Sequence, residues 1–227
     1  FGPHPHRGFE TVTFILQGSL AHLDTGGGES IVEAGGVQWM TAGRGLIHAE
    51  LSPESFKRDG GPLEILQLWV NLPSRLKMVE PNYVGVTEAE IPVLQLSDTV
   101  TMRPVSGLDA TPIQSLTGIM LATVEMQPGS KATLPAPTGR SVLFYTVRGS
   151  ARVSGVEVPE HHLAQLSDGD GLEVESETGT LILFGHGDPI GEPIFAHGPF
   201  VMNTREEIIQ AVQDYQRGLF GDPRALA

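Results

Sequence analysis

His4-Pro5-His6-Arg7-Gly8-Phe9-Glu10-Thr11-Val12 stands at the head of the chain and decides how the rest is read. In an extended segment side chains alternate, so His4 and His6 share a face and can grip one ion, and the same count puts Glu10 on that face. Further along, Gly43-Arg44-Gly45-Leu46-Ile47-His48-Ala49-Glu50 supplies a second i, i+2 pair, His48 and Glu50. If the strands bearing these pairs face each other inside a barrel, three neutral nitrogens and one carboxylate meet at a point. With no Cys in the chain, any metal is held by His, Asp or Glu. Three His and a carboxylate suit one divalent first-row ion, Fe(II), Mn, Ni, Cu or Zn, and a six-coordinate ion keeps positions open for substrate or dioxygen.

Outward from that stretch, 12–20, 65–70, 142–147 and 180–184 are short, rich in β-branched and aromatic residues, and read as strands. Turn signals at 25–28, 59–62, 127–129 and 167–171 separate them, the spacing of an all-β sandwich or barrel. Thr204-Arg205-Glu206-Glu207 is a capping box followed by Ile208, Ile209, Val212, Tyr215 and Leu219 at helical spacing, which predicts one amphipathic helix over about 204–219 whose stripe packs on a core. Aligning Gly18 with Gly149 also matches Gly8 to Gly139, so the chain reads as two copies of one β-module. The second copy has Pro135, Pro137 and Ser141 where the first has His4, His6 and Glu10, so the second barrel is expected to hold no metal.

The 14 Lys and Arg against 27 Asp and Glu give a net charge of −13. That balance argues against direct binding of nucleic acid or of anionic membrane surfaces. No run of 18 apolar residues and no basic-then-apolar leader is present, so a cytoplasmic protein is the expectation. The opening at Phe1, directly before the His-rich stretch, points to residues missing upstream.

The stretch from His4 to Val12, the stretch Gly36-Val37-Gln38-Trp39-Met40-Thr41-Ala42-Gly43-Arg44-Gly45 with His48 and Glu50 after it, and Gly198-Pro199-Phe200-Val201-Met202-Asn203-Thr204 together resemble the pirins, two-domain members of the cupin superfamily. These matches lie near both ends, so the resemblance spans essentially the whole chain. It implies an all-β fold of two cupin β-barrels face to face plus the C-terminal helix, divided here at 1–100 (metal-binding) and 101–227 (metal-free). It implies one metal, iron first among the candidates, held by His4, His6, His48 and Glu50. Many other cupins use the carboxylate four residues after His-x-His, which is Glu10; Glu50 is preferred because it shares a strand face with His48 and because the pirin resemblance is the closer one.

The resemblance further implies either of two functions. One is a dioxygenase of the quercetin 2,3-dioxygenase type, in which a small aromatic or enolisable substrate and O2 meet at the metal and Glu50 takes the substrate's proton. The other is an iron-binding regulator that acts on transcription or metabolism through protein partners. Phe14, counted on the same parity as His4 and His6, is a candidate pocket residue. His22 reads as a buried, hydrogen-bonded histidine, His161 and His162 as a surface loop, His186 and His197 as isolated, and Arg44 as either a turn residue or a contact for an anionic substrate.

Overall fold

A computed structural model describes residues 1–166, 169 and 171–226, so most of the turn expected at 167–171 lies outside the described residues. The chain forms two compact units, Phe1–Glu90 with Ile190–Ala227, and Ile91–Pro189. Among the described residues no helix is long and apolar enough to cross a membrane.

The first unit contains β1 (His4–His6), β2 (Phe9–Gln17), β3 (Ser19–Asp24), β4 (Glu29–Glu33), β5 (Val37–Thr41), β6 (Leu46–Leu51), a short helix α1 (Glu54–Asp59), β7 (Glu64–Asn71) and β8 (Asn82–Val86). They make two four-stranded sheets, ordered β1-β6-β3-β4 and β7-β2-β5-β8, all neighbours antiparallel. The segment 12–20, read as one strand, is two. Gly18, at φ +82°, turns the chain from β2 into β3, and with it from one sheet to the other.

The second unit contains β9 (Leu94–Ser97), β10 (Val100–Ser106), β11 (Met120–Met126), β12 (Ser130–Leu134), β13 (Ser141–Val153), β14 (Val156–Pro159), β15 (Leu172–Ser176) and β16 (Thr180–Gly187). They form one eight-stranded, nearly closed barrel-like sheet, β12-β15-β13-β16-β11-β10-β9 with β14 on β13. Its core is apolar, with Met102, Met120, Phe144, Val174 and Phe184 each at most 2% exposed. The repeat shows in the backbone: Gly8 and Gly139 sit at φ +86° and +83°, Gly18 and Gly149 at +82° and +73°.

The last segment returns to the first unit. A hairpin of β17 (Phe195–His197) and β18 (Phe200–Met202) leads into α2 (Arg205–Gln216), whose Thr204 side chain accepts from the Glu207 N–H while Glu207 accepts from the Thr204 N–H. Ile208 and Ala211 of α2 pack with Ile47, Phe200, Met202 and Phe220. The division by chain order at residue 100 therefore differs from the packing: the boundary falls at Glu90, and the helix, expected on the second barrel, is held by apolar contacts to β6. It is also shorter than 204–219, and Ile209, Tyr215 and Leu219 of its stripe are exposed.

Candidate metal centre

Pairing of β1 with β6 sets His4 directly opposite His48, and alternation brings His6 to the same face. The ring centroids lie 4.3 Å (His4 to His48), 4.8 Å (His4 to His6) and 4.9 Å (His6 to His48) apart. One nitrogen from each of the three lies within 4.8 Å of the others, and this is the one such group among the described residues. His6 and His48 are 3% and 1% exposed.

The tautomers fit a metal. Nδ1 of His4 lies 2.8 Å from the Gly2 carbonyl, and Nδ1 of His6 lies 3.4 Å from that of Pro199. A carbonyl only accepts, so each Nδ1 carries the proton and each Nε2 presents a lone pair, the usual arrangement behind metal-bound histidine. Nε2 of His48 lies 2.8 Å from Nε2 of His4, while its own Nδ1 is buried without a partner among the described residues. Burial, with His4 nearby, pushes the His6 imidazole down to about 4. Burial and then the neighbouring histidines hold His48 far below the usual range. His6 and His48 are therefore neutral donors near pH 7, as ligands to a divalent ion must be.

Glu50 follows His48 by two on β6, and Gln67 Nε2 donates to its Oε1 at 2.8 Å and Oε2 at 3.1 Å. Thr13 Oγ1 donates to Oε1 at 3.3 Å. In this arrangement the carboxylate is held at the edge of the site and does not join the three-nitrogen group. Across β3, His22 pairs with Glu50 and Asp24 with His48. His22 Nε2 bonds Asp24 Oδ2 at 2.8 Å, and its ring stacks on Tyr83 at 3.8 Å, the two planes 2° apart. The Gly26 and Gly28 N–H groups donate to Asp24 Oδ1, and Tyr83 hydrogen-bonds Ser30. His22 is thus the buried, bonded histidine expected of it.

Glu10 and Phe14 lie on the opposite face of their sheet, which corrects the expected parity. Alternation counted from His6 to Glu10 assumes one continuous strand, but the chain turns a corner at Arg7 and Gly8, and β2 begins afresh in the other sheet. Gly8 sits at φ +86°, and a Cβ there would stand 2.2 Å from the Val201 carbonyl oxygen, so only glycine fits. Beyond the corner Phe9, Thr11 and Thr13 face the histidines, the Phe9 ring 5.0 Å from that of His6, while Glu10, Val12 and Phe14 point the other way. Glu10 Oε1 accepts from Thr41 Oγ1 at 2.6 Å and Trp39 Nε1 at 3.0 Å, its Oε2 is buried without a partner among the described residues, and burial raises its acid above the ordinary range.

The corner is braced from three directions. Lys77, 1% exposed, donates from Nζ to Gly8 O at 2.8 Å, Val201 O at 2.9 Å and Asn71 Oδ1 at 2.6 Å. Buried Arg7 donates from Nε to Arg44 O at 2.6 Å and from Nη1 to Asp214 Oδ2 of α2 at 2.8 Å, with its guanidinium 4.6 Å from the centroid of Phe220. Arg7 O accepts from Val201 N at 3.1 Å, so the C-terminal segment lies along the residue that follows His6. Arg44 itself is a solvated turn residue paired with Glu80 at 2.8 Å.

His161, His162 and His197 are exposed and apart from the centre, and His186 is buried in β16 of the other unit. Sequence reasoning missed Asp24, Gln67, Trp69 and Tyr83. The strand reading of 65–70 already placed Gln67 and Trp69 on one face of a strand, and that alternation was the one available pointer to them.

Comparison with known proteins agrees with this geometry. Family models described as Pirin and as Pirin C-terminal cupin domain match residues 1–70 and 121–221. The chain is 40% identical over 225 residues to a pirin-like protein of Caulobacter vibrioides, covering 97% of this chain and 80% of that one. It is 40% identical over 237 residues to Pirin of Homo sapiens, covering 99% and 79%. A solved structure of quercetin 2,3-dioxygenase from Acinetobacter baumannii superposes with a TM-score of 0.93 at 37% identity, over 98% of this chain and 79% of that one. With two cupin-type units, an N-terminal three-histidine centre and relatives of this similarity along nearly its full length, the chain belongs to the pirin family.

Proposed function

We propose that the chain is a metal-dependent dioxygenase of the quercetin 2,3-dioxygenase type, with His4, His6 and His48 holding one divalent first-row metal, iron first among the candidates, and Glu50 completing the set and serving as proton acceptor. The observation that carries the reading is the convergence of three histidines, two of them with the tautomer set by a backbone carbonyl, beside a carboxylate that is itself hydrogen-bonded. The likeness to the Acinetobacter baumannii dioxygenase supports the substrate class, a planar aromatic enol. When bound, the metal supplies Lewis acidity toward the substrate's enol oxygen and the redox chemistry that dioxygen needs. The chain's own part is to present three histidine nitrogens, those of His4 and His6 in fixed tautomers, and to take the substrate's hydroxyl proton on Glu50. Gln67 and Thr13 orient that carboxylate. Overall, flavonol and O2 give the ring-opened ester and carbon monoxide.

The test is anaerobic purification, metal quantification, and oxygen uptake with quercetin, with carbon monoxide as the second product measured. Uptake matched by carbon monoxide release is expected. A fully metal-loaded protein that consumes no oxygen with flavonols, catechols or other enols overturns the enzymatic reading and favours a regulator that acts through a protein partner.

A further inference from the structure

We propose that Trp69 is the surface on which the planar ring system of the substrate stacks at the mouth of the histidine centre, so that the site selects a flat aromatic enol through π contact rather than through charge. This rests on the oxygenase reading above and names the residue that would decide its substrate. Trp69 stands on the histidine-facing side of β7, where Thr11 is its cross-strand partner. Its ring lies 5.4 Å from that of His6 at 74° and 4.4 Å from that of Phe9 at 36°, so two neighbours fix its plane. Even so it is 50% exposed, whereas the chain's other tryptophan, Trp39, is buried. A rigid, half-open indole against a metal-binding histidine is apolar area waiting for a ring, and stacked pairs gain more than burial alone.

Gln67, two residues back on the same face, holds Glu50, so the stacking surface and the residue that orients the proton acceptor share one strand. The electrostatics point the same way. None of the ten strands of this unit contains a Lys or Arg, while Asp24 and Glu50 both face inward. The two buried cations near the site, Arg7 and Lys77, are engaged with backbone carbonyls, Asp214 and Asn71. The strands therefore offer no cationic side chain to a substrate carboxylate, and recognition of the ligand's body falls to the indole.

The experiment compares Trp69→Phe and Trp69→Leu in the metal-loaded protein, with metal content and circular dichroism as controls. Anaerobic calorimetry with quercetin gives Kd, and oxygen uptake gives KM and kcat separately. Trp69→Leu is expected to weaken binding and raise KM roughly tenfold, and Trp69→Phe to stay within about threefold of the parent, because a ring is kept. Independently of any variant, saturating quercetin is expected to shield the exposed tryptophan emission of the parent from acrylamide. Unchanged acrylamide access, or wild-type Kd and KM in Trp69→Leu, overturns the assignment. If quercetin binds and shields Trp69 but no oxygen is consumed, the oxygenase reading fails and the stacking surface stands; if oxygen is consumed and both variants keep the parental KM, the reverse holds.

Discussion

Replacing Glu50 and Glu10 separately by Gln separates the two carboxylates that spacing alone left level. Glu50→Gln keeps the side-chain volume and removes the charge. Its amide oxygen still accepts from Thr13 and from Gln67, but the second Gln67 contact becomes donor against donor, so one of three hydrogen bonds is lost. That costs the fold about 1 kcal/mol. Loss of a coordinating anion exceeds the 10- to 100-fold effect of disturbing a ligand's neighbour, so metal affinity is expected to fall roughly 10²-fold or more. Turnover is expected to fall by about the same factor, since the positioned proton acceptor goes with it. Glu10 faces away from the histidines, and Glu10→Gln is expected to move metal affinity less than about threefold, below the effect of a neighbour in contact. Its signature is in stability. Burial raises the folded acid above its unfolded value, so the stabilisation it gives is complete below the unfolded pKa and is lost as pH rises through the folded one. Glu10→Gln removes this dependence and is expected to be neutral or stabilising at pH 7 to 8. The assays are metal retention against a competing chelator, oxygen uptake, and thermal unfolding as a function of pH. Equal loss of metal in the two variants, or greater loss in Glu10→Gln, refutes the placement of both.

Three further outcomes follow from the same geometry. His6→Ala is expected to abolish stoichiometric metal binding while the parent holds one equivalent and not two; a second equivalent would contradict the expectation that the second barrel holds no metal. Asp214→Asn weakens the partly buried ion pair to Arg7, with an expected loss of about 2 kcal/mol, or roughly 4 to 8 °C in Tm for a chain of this size, and a smaller fall in metal affinity because Arg7 follows His6. For Lys77, burial lowers the ammonium to about 8 against an unfolded value near 10.5. The unfolded chain then binds more protons between those values, so stability is expected to rise with pH across that window by about 3 kcal/mol, and Lys77→Met should flatten the rise in denaturant titrations at a series of pH values.

How much was legible divides at Gly8. His4, His6 and the His48–Glu50 pair are short-range patterns on single strands, and alternation within a strand is enough to read them. Glu10 and Phe14 required counting through Arg7 and Gly8, where the chain changes sheets and the count restarts. The glycine was visible, but what makes it a corner is the Val201 carbonyl, far along the chain. The same holds for Asp24, Gln67 and Tyr83, which reach the site through pairings of β3, β7 and β8 that no local pattern specifies. The helix start at Thr204 was legible because a capping box is local; which unit the helix packs on was not, because that depends on Ile47 and Phe220.

The two units share a strand plan and differ in what fills them, and that difference locates the chemistry. A buried polar group needs a partner or costs stability, so cores default to apolar side chains, as the second unit's does. The first unit instead buries His6, His22, Asp24, His48 and Glu50. His22 and Asp24 satisfy each other with help from two glycine amides, and Glu50 has Gln67 and Thr13. The ring nitrogens of His4, His6 and His48 that face one another have only one another, and His48 Nδ1 is buried without a partner among the described residues, so this is a place in the unit where a cation would complete the accounting. Lys77, Arg7 and the C-terminal segment brace the one corner that carries His6 past that open place. A polar, externally braced spot inside an otherwise regular barrel is what a binding site requires and what a core avoids, and the prolines at the matching positions of the second unit, Pro135 and Pro137, cannot supply ligands there.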